Sequence, residues 1–244
     1  MNFQNLSTQL PSNSIFFKII LKIWFPLKYI FNSKYRYRKN LERNQKRNLH
    51  HSSEFTKYNR YPSIFKLVQT LYSNQESLKI LSFGCSTGEE VKALRELYFP
   101  EATIVGTDIN KKSLDKAIKS YRKENVYFIK SEQEEINKHG PYDIIFCMAV
   151  FQHRKNRDIA TQNSEPHYPF LKFEGTIIQL DKLLNKGGAF IIEHTDYNFL
   201  ETSISNKYTP VPNQNFYRNR PLYNKNNERI SEKSIPEKIF IKQG

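Results

Sequence analysis

The residues best suited to chemistry fall in one short stretch, residues 79–91, which reads KILSFGCSTGEEV. An apolar run ends at Phe83, the small residues Gly84, Cys85, Ser86, Thr87 and Gly88 form a turn, and acids open a helix near Glu89. Small residues let the backbone approach a ligand closely, and a helix start presents free N–H groups to it. A dinucleotide fingerprint needs glycine at the three marked positions of G-x-G-x-x-G, and here those positions hold Gly84, Ser86 and Glu89. A carboxylate there is a poor neighbour for a pyrophosphate. A triphosphate loop fails as well, because no Lys-Ser or Lys-Thr pair follows Gly88. A cofactor without phosphate but with cationic groups tolerates acids at that helix start and is attracted by them.

S-adenosylmethionine meets that description, and the alternating spacing of Gly84, Ser86 and Gly88 points to it. The stretch resembles motif I of the class I S-adenosylmethionine-dependent methyltransferases, and CSTGEE is especially similar to the chemotaxis receptor methyltransferase branch. Ser82 stands where many members carry an acid and Ser86 where many carry glycine; the chemotaxis branch has similar serines. The resemblance runs from Lys79 to His194, about half the chain. It implies an α/β, Rossmann-like fold: a mainly parallel seven-stranded sheet with helices on both faces and the last strand antiparallel. It also implies that Gly84, Cys85, Ser86, Thr87 and Gly88 surround the cofactor.

The elements that position these residues can be read on either side of the loop. A helix with Val91, Leu94 and Leu97 on one side leads to the β-rich run 103–108, which ends in Asp108. Open α/β nucleotide folds place an acid roughly 20 residues past the glycine loop to hold ribose hydroxyls. Asp108, with the adjoining Ile109, is therefore expected at the cofactor; its competing role is to cap the next helix, for which Asn110 is the rival. After a third strand at 126–129, Glu132 aligns with the family position that contacts the adenine amino group, against the competing role of opening a short helix. Ahead of the first strand, a helix follows Pro62, with Phe65, Leu67, Val68 and Leu71 at helical spacing. Just before it, Asn59-Arg60-Tyr61 resembles in placement the segment whose arginine meets the cofactor carboxylate in the chemotaxis branch.

The fourth strand, 142–147, continues into residues 148–153, which resemble motif IV of the same superfamily. Enzymes that methylate base amino groups carry two prolines and an aromatic here, and cytosine-C5 enzymes carry a nucleophilic cysteine after proline. This chain has neither pattern, with Cys147 inside the strand, so a nucleic-acid acceptor is not expected. His153 and His194 follow the fourth and fifth strands, at the edge where open α/β sheets bind ligands, and both are candidate general bases. Glu193 is placed to orient one of them. Residues 154–169 form a long polar connection that reads as a lid or binding segment. A helix carrying Ile177, Leu180, Leu183 and Leu184 is expected to end at Gly187-Gly188, with the fifth strand at 189–192. In the tail, runs 220–223 and 238–241 read as a closing hairpin.

Composition bounds the rest. The chain has 244 residues, enough for a full core, and two cysteines that suit neither a disulfide framework nor a zinc cluster; no metal is expected, and the compartment is expected to be cytoplasmic. Of the net charge of +14, +10 falls in residues 1–60. Within that basic extension, residues 15–31 are apolar and aromatic but punctuated by Lys18, Lys22, Lys28 and Pro26, which argues against a membrane span and a secretory signal. Residues 15–47 fit either a helix lying on an anionic membrane or a helix packed on the catalytic domain. The expected organisation is a basic extension over 1–54 and a methyltransferase domain over 55–244. The expected function is methyl transfer to oxygen or nitrogen of a small-molecule acceptor. A protein carboxyl methyltransferase of chemotaxis-receptor type and a non-catalytic scaffold binding an anionic surface remain the alternatives.

Overall fold

The computed structural model describes residues 15–45, 48–51, 53–158, 160–212, 220–230 and 237–244. The chain divides into two compact units, Met1–Ser52 and Ser53–Gly244. In the first, helix α1 (Ile15–Phe31) is followed by α2 (Ser33–Asn44). Asn32 separates them: its side-chain oxygen accepts from the Tyr35 N–H at 2.8 Å and so caps α2. Arg36 donates to the Tyr29 and Ile30 carbonyls at 3.1 and 2.5 Å, satisfying acceptors left open at the end of α1. Ile19, Ile23, Leu27 and Ile30 lie on one stripe of α1 and are all exposed. Among the described residues no helix is long and apolar enough to cross a membrane. Residues 46–47 of the basic stretch lie outside the described residues.

The second unit is built on alternating strands and helices. These are α3 (Pro62–Leu71), β1 (Lys79–Phe83), α4 (Glu89–Ala93) running into a π turn over Leu94–Tyr98, β2 (Thr103–Asp108), α5 (Lys111–Ser120) and β3 (Val126–Lys130). Then come α6 (Gln133–His139), β4 (Tyr142–Met148), α7 (Phe170–Asp181), β5 (Leu184–Glu193), β6 (Tyr208–Pro210), β7 (Leu222–Tyr223), β8 (Arg229–Ile230) and β9 (Ile239–Lys242). The main sheet has the order β3-β2-β1-β4-β5-β9-β6. Strands β1 to β5 pair in parallel, and β9 runs antiparallel to both β5 and β6. This is the seven-stranded sheet that the sequence implies.

Successive strand residues face opposite sides, so each central strand feeds two cores. Leu81, Val105, Ile145, Phe190 and Phe240 pack with Phe173, Ile177 and Leu180 of α7 and Ile136 of α6. Their neighbours Ile80, Ile104, Ile144, Ile191 and Ile239 pack with Phe65 and Val68 of α3, Val91 of α4 and Leu114 of α5. Because the chain leaves β1 on one side toward β3 and returns to β4 on the other, the connections after β1 and β4 diverge over the carboxyl edge. That is where sheets of this kind open a ligand crevice.

Three expectations need correction. Gly187 and Gly188 lie inside β5, not at a helix end: the β4–β5 register shifts between Tyr142 and Ile144, and a Cβ on Gly188 would come within 2.8 Å of the Asp143 carbonyl. Leu97 is exposed, because the π turn, with Phe99 N–H bonded to the Leu94 carbonyl at 2.8 Å, rotates Arg95 and Tyr98 inward instead. The tail forms a different pairing: β9 is edged by β6, while β7 pairs with β8 through a turn in which Asn227 takes φ 67°.

That β7–β8 hairpin is stapled to the 154–169 connection. The Tyr223 hydroxyl donates to the Asn156 carbonyl at 2.7 Å. Nearby, the buried Tyr197 hydroxyl donates to the Tyr168 carbonyl, with Ser164 Oγ at 2.7 Å and Asn227 Oδ1 at 2.9 Å. Tyr197→Phe leaves these groups without their shared partner in a buried site. We expect it to lower stability by about 1–3 kcal/mol in urea denaturation with an unchanged m value.

Candidate active site

The glycine loop is tied to the end of β2. The Thr107 carbonyl accepts from both Gly84 and Cys85 N–H, at 2.7 and 2.9 Å. Gly84 and Gly88 adopt φ 81° and 91°, where side chains are disfavoured. A Cβ on Gly84 would stand 2.5 Å from a Val150 methyl beyond β4, so this turn also closes on the neighbouring connection. Ser86 N–H then donates to Asp108 Oδ2 at 2.9 Å, and Asn110 N–H to Asp108 Oδ1 at 2.7 Å. Asn110 caps α5 through its own side chain, so the competing capping role predicted for Asp108 is filled by its rival. Burial pushes the Asp108 carboxyl above the ordinary range, against the pull of the Asn110, Ser86 and Ile109 N–H groups.

The segment ahead of α3 lies along this junction. Glu54 accepts through its carbonyl from Ser86 Oγ at 3.0 Å and through its carboxylate from Asn110 Nδ2 at 2.9 Å. Farther along, the Arg60 guanidinium sits 5.1 Å from the ring centres of both Phe55 and Tyr61. The Tyr61 ring contacts the His194 ring at 5.5 Å, and its hydroxyl is buried without a hydrogen-bond partner. Behind them Glu90 is partly buried in the first turn of α4 and accepts from Ser82 Oγ at 2.8 Å. Burial raises the Glu90 carboxyl to about 7, with Ser82 and Arg60 opposing the shift.

His194 ends β5 in the left-handed region, φ 55°, as Ala149 ends β4 at φ 61°. Its Nδ1 lies 2.7 Å from Glu193 Oε1, and Glu193 Oε2 lies 2.6 Å from Lys238 Nζ. Burial alone would push the Glu193 carboxyl up, but its bonds to His194 and Lys238 outweigh that and hold it below the ordinary range. Burial lowers the His194 imidazole, Glu193 pulls the other way, and Arg220 and Arg60 add to the lowering. The imidazole is therefore neutral near pH 7, with the Glu193 carboxylate beside its Nδ1, although the contact lacks hydrogen-bond alignment.

The remaining predicted residues are placed differently. His153 Nδ1 accepts from Lys155 N–H at 3.4 Å and its ring stacks on His167 at 5.5 Å, so it belongs to the 154–169 connection. Cys85 turns its thiol into the core, leaving only its backbone on the loop. Thr87 Oγ donates to the Glu89 carboxylate at 2.6 Å. Glu132 occupies the cap position of α6 without a capping bond, is exposed, and pairs with Lys130. The structure thus gathers the loop and Asp108 with Ile109 at one end of the crevice and Arg60 with His194 at the other. Glu54, Tyr61 and Lys238 were missed from the sequence because their partners lie far away along the chain. Glu90 carried a local signal, an acid one turn after the serine-bearing strand.

Residues 74–244 match the family model described as methyltransferase domain. A malonyl-(acyl-carrier protein) O-methyltransferase of Bacillus cereus is 28% identical over 116 residues, 48% of this chain and 42% of the relative. One of Halalkalibacterium halodurans is 35% identical over 97 residues, 36% and 35% of the two chains. The chain thus matches less than half the length of these relatives. Among solved structures, the plantazolicin methyltransferase BpumL with a pentazolic desmethyl analogue and SAH is 16% identical, covering 68% of this chain and 55% of that one, with a TM-score of 0.43. PKMT2 from Rickettsia typhi is 20% identical, covering 57% and 26%, with a TM-score of 0.40.

Glu90 gives the site a pH signature. Its folded value lies above the ordinary carboxylate value, so its contribution to stability is full at acid pH and is lost as pH rises from about 4.5 through about 7. Glu90→Gln keeps the acceptor for Ser82 and removes the titration. The variant should match the wild type in thermal melts at pH 5 and exceed it at pH 8, by up to about 3 kcal/mol.

Proposed function

The chain belongs to the class I S-adenosylmethionine-dependent methyltransferases, matched over residues 74–244, and from that membership we propose that it methylates oxygen or nitrogen of a small-molecule acceptor. The observation that carries this reading is the His194–Glu193–Lys238 chain at the end of β5. A neutral imidazole held by a carboxylate is the group that a hydroxyl, phenol or amine needs in order to lose its proton as the new bond forms. The relatives being O-methyltransferases favours oxygen.

S-adenosylmethionine, when bound, supplies a methyl group activated on a sulfonium. The protein has to position that methyl against the acceptor and exclude water. We assign the adenosine end to the backbone of Gly84, Cys85, Ser86, Thr87 and Gly88, with Asp108 on the ribose and Ile109 and Glu132 on the adenine side. Arg60 takes the methionine carboxylate. The residues fit the group: the loop closes where a Cβ on Gly84 would clash, the Tyr61 hydroxyl is buried without a partner, and the Glu90 carboxyl gains its charge most readily beside a cation. His194 accepts the acceptor's proton, and Glu193 orients the ring and stabilises its charged form, kept ionised by Lys238. His153, its Nδ1 committed to the backbone of Lys155, is assigned to the acceptor side of the crevice.

Isothermal titration with S-adenosylmethionine and S-adenosylhomocysteine tests the cofactor roles. We expect Asp108→Ala to weaken both by at least tenfold, about 1.4 kcal/mol. His194→Gln should retain cofactor affinity while losing on the order of 10²–10⁴ in kcat once an acceptor is found. No heat with either ligand would leave the scaffold alternative standing.

We propose further that the enzyme works in the cytosol at an anionic membrane surface, through its first unit. The exposed stripe Ile19, Ile23, Leu27 and Ile30 adjoins Lys18 and Lys22 on α1, and α2 adds Lys34, Arg36, Arg38, Lys39 and Arg43. Apolar insertion together with basic attraction is the combination that holds a helix in the headgroup layer. Sedimentation with phosphatidylglycerol-containing vesicles should carry the protein down, less so at high salt. Ile23→Asp with Ile30→Asp should abolish it. Equal binding to pure phosphatidylcholine, or none to either, would overturn this reading.

A further inference from the structure

The crevice holds a second feature that cofactor binding and proton transfer do not use. Gln152, four residues beyond β4, is 2 % exposed, and its Nε2 donates to the Ala149 carbonyl at 2.7 Å, which fixes where its side-chain oxygen points. Onto that one oxygen converge the guanidinium groups of Arg157, from the short helical turn after His153, and Arg220, just before β7. The acceptor they share is neutral. Among the described residues neither guanidinium lies within ion-pairing distance of a carboxylate. The acid that does act on Arg220, Asp196, already accepts from His153 N–H and Asn156 Nδ2 at 2.8 and 2.9 Å.

Two positive groups held together on a neutral atom repel each other, and the arrangement is completed by an anion that both can bind. Guanidinium forks suit a planar or tetrahedral oxyanion in this way. Asp196, two residues past His194, donates its N–H to the Phe151 carbonyl at 2.8 Å and accepts at its carbonyl from Tyr223 N–H at 2.9 Å, which brings the Gln152 and Arg220 segments to the end of β5. The anion would therefore sit beside the proposed base and the unpartnered Tyr61 hydroxyl, next to the atom that is methylated.

We propose that the methyl acceptor carries an oxyanion, a carboxylate or a phosphate, seated on Arg157 and Arg220 where they meet at Gln152. This rests on the methyltransferase reading of the same crevice. No bond changes at the anion itself; it anchors the acceptor while the neighbouring nucleophile reacts.

The test uses the full chain saturated with S-adenosylhomocysteine, titrated separately with malonate and with inorganic phosphate. Saturable binding of one probe is expected, and which one binds identifies the carboxylate or the phosphate source. The double variant R157Q/R220Q should weaken that binding by at least about tenfold while S-adenosylhomocysteine affinity stays within about twofold. R157K/R220K, which keeps the charge and loses the fork, should fall between, and this separates anion binding from a folding defect. The proposal is overturned if neither probe binds while S-adenosylhomocysteine does, or if the double variant binds as the wild type. A wild type that fails to bind S-adenosylhomocysteine removes the methyltransferase reading beneath it.

Discussion

The Thr107 carbonyl, accepting from two successive loop N–H groups, fixes how β1 hands over to α4 and how near that turn lies to the end of β2. Everything at the carboxyl edge inherits its position from this junction. With the turn pinned, Ser86 N–H meets the Asp108 carboxylate, Asn110 is placed to cap α5 and to hold Glu54, and Glu54 draws the segment before α3 across the loop. The arrangement needs residues without side-chain bulk: Gly84 faces Val150, and Gly106 on β2 faces Val91 at a spacing that a Cβ would close to 2.8 Å. Close backbone packing and ligand approach are here one requirement.

The second half of the site is set by strand ends that break regular geometry. β4 and β5 pair up to Met148 and Glu193, and the next residue of each strand, Ala149 and His194, turns left-handed. Non-glycine residues in that region carry a conformational cost that surrounding structure has to override. For His194 the overriding contacts are those of Glu193 and of the Tyr61 ring. The imidazole is thus oriented by backbone geometry and by a carboxylate together.

What could be read from the sequence follows the distance over which each signal acts. The glycine loop, the acid after the second strand and the apolar strands are local patterns, and the family resemblance they carry implied the sheet and the position of the crevice. Leu97 misled because a single π turn shifts the helical phase, and no residue type announces such a turn. Gly187-Gly188 has the same local look at a helix end and in a strand irregularity, and only the partner strand distinguishes them. The convergence of Arg157 and Arg220 on Gln152 joins residues 68 positions apart and was invisible for that reason. Lys238 was read as strand material, yet it is among the most buried charged residues described, and it pairs with Glu193 from the entry to the neighbouring strand.

That last contact bears on how the domain folds. Lys238 stands at the entry to β9, the strand that slots between β5 and β6. Without this strand Glu193 would be a buried acid with only a histidine beside it, and β5 would be an open edge. Domains generally fold as units, so the charge balance around the proposed base is set in the same step that seats β9 in the sheet.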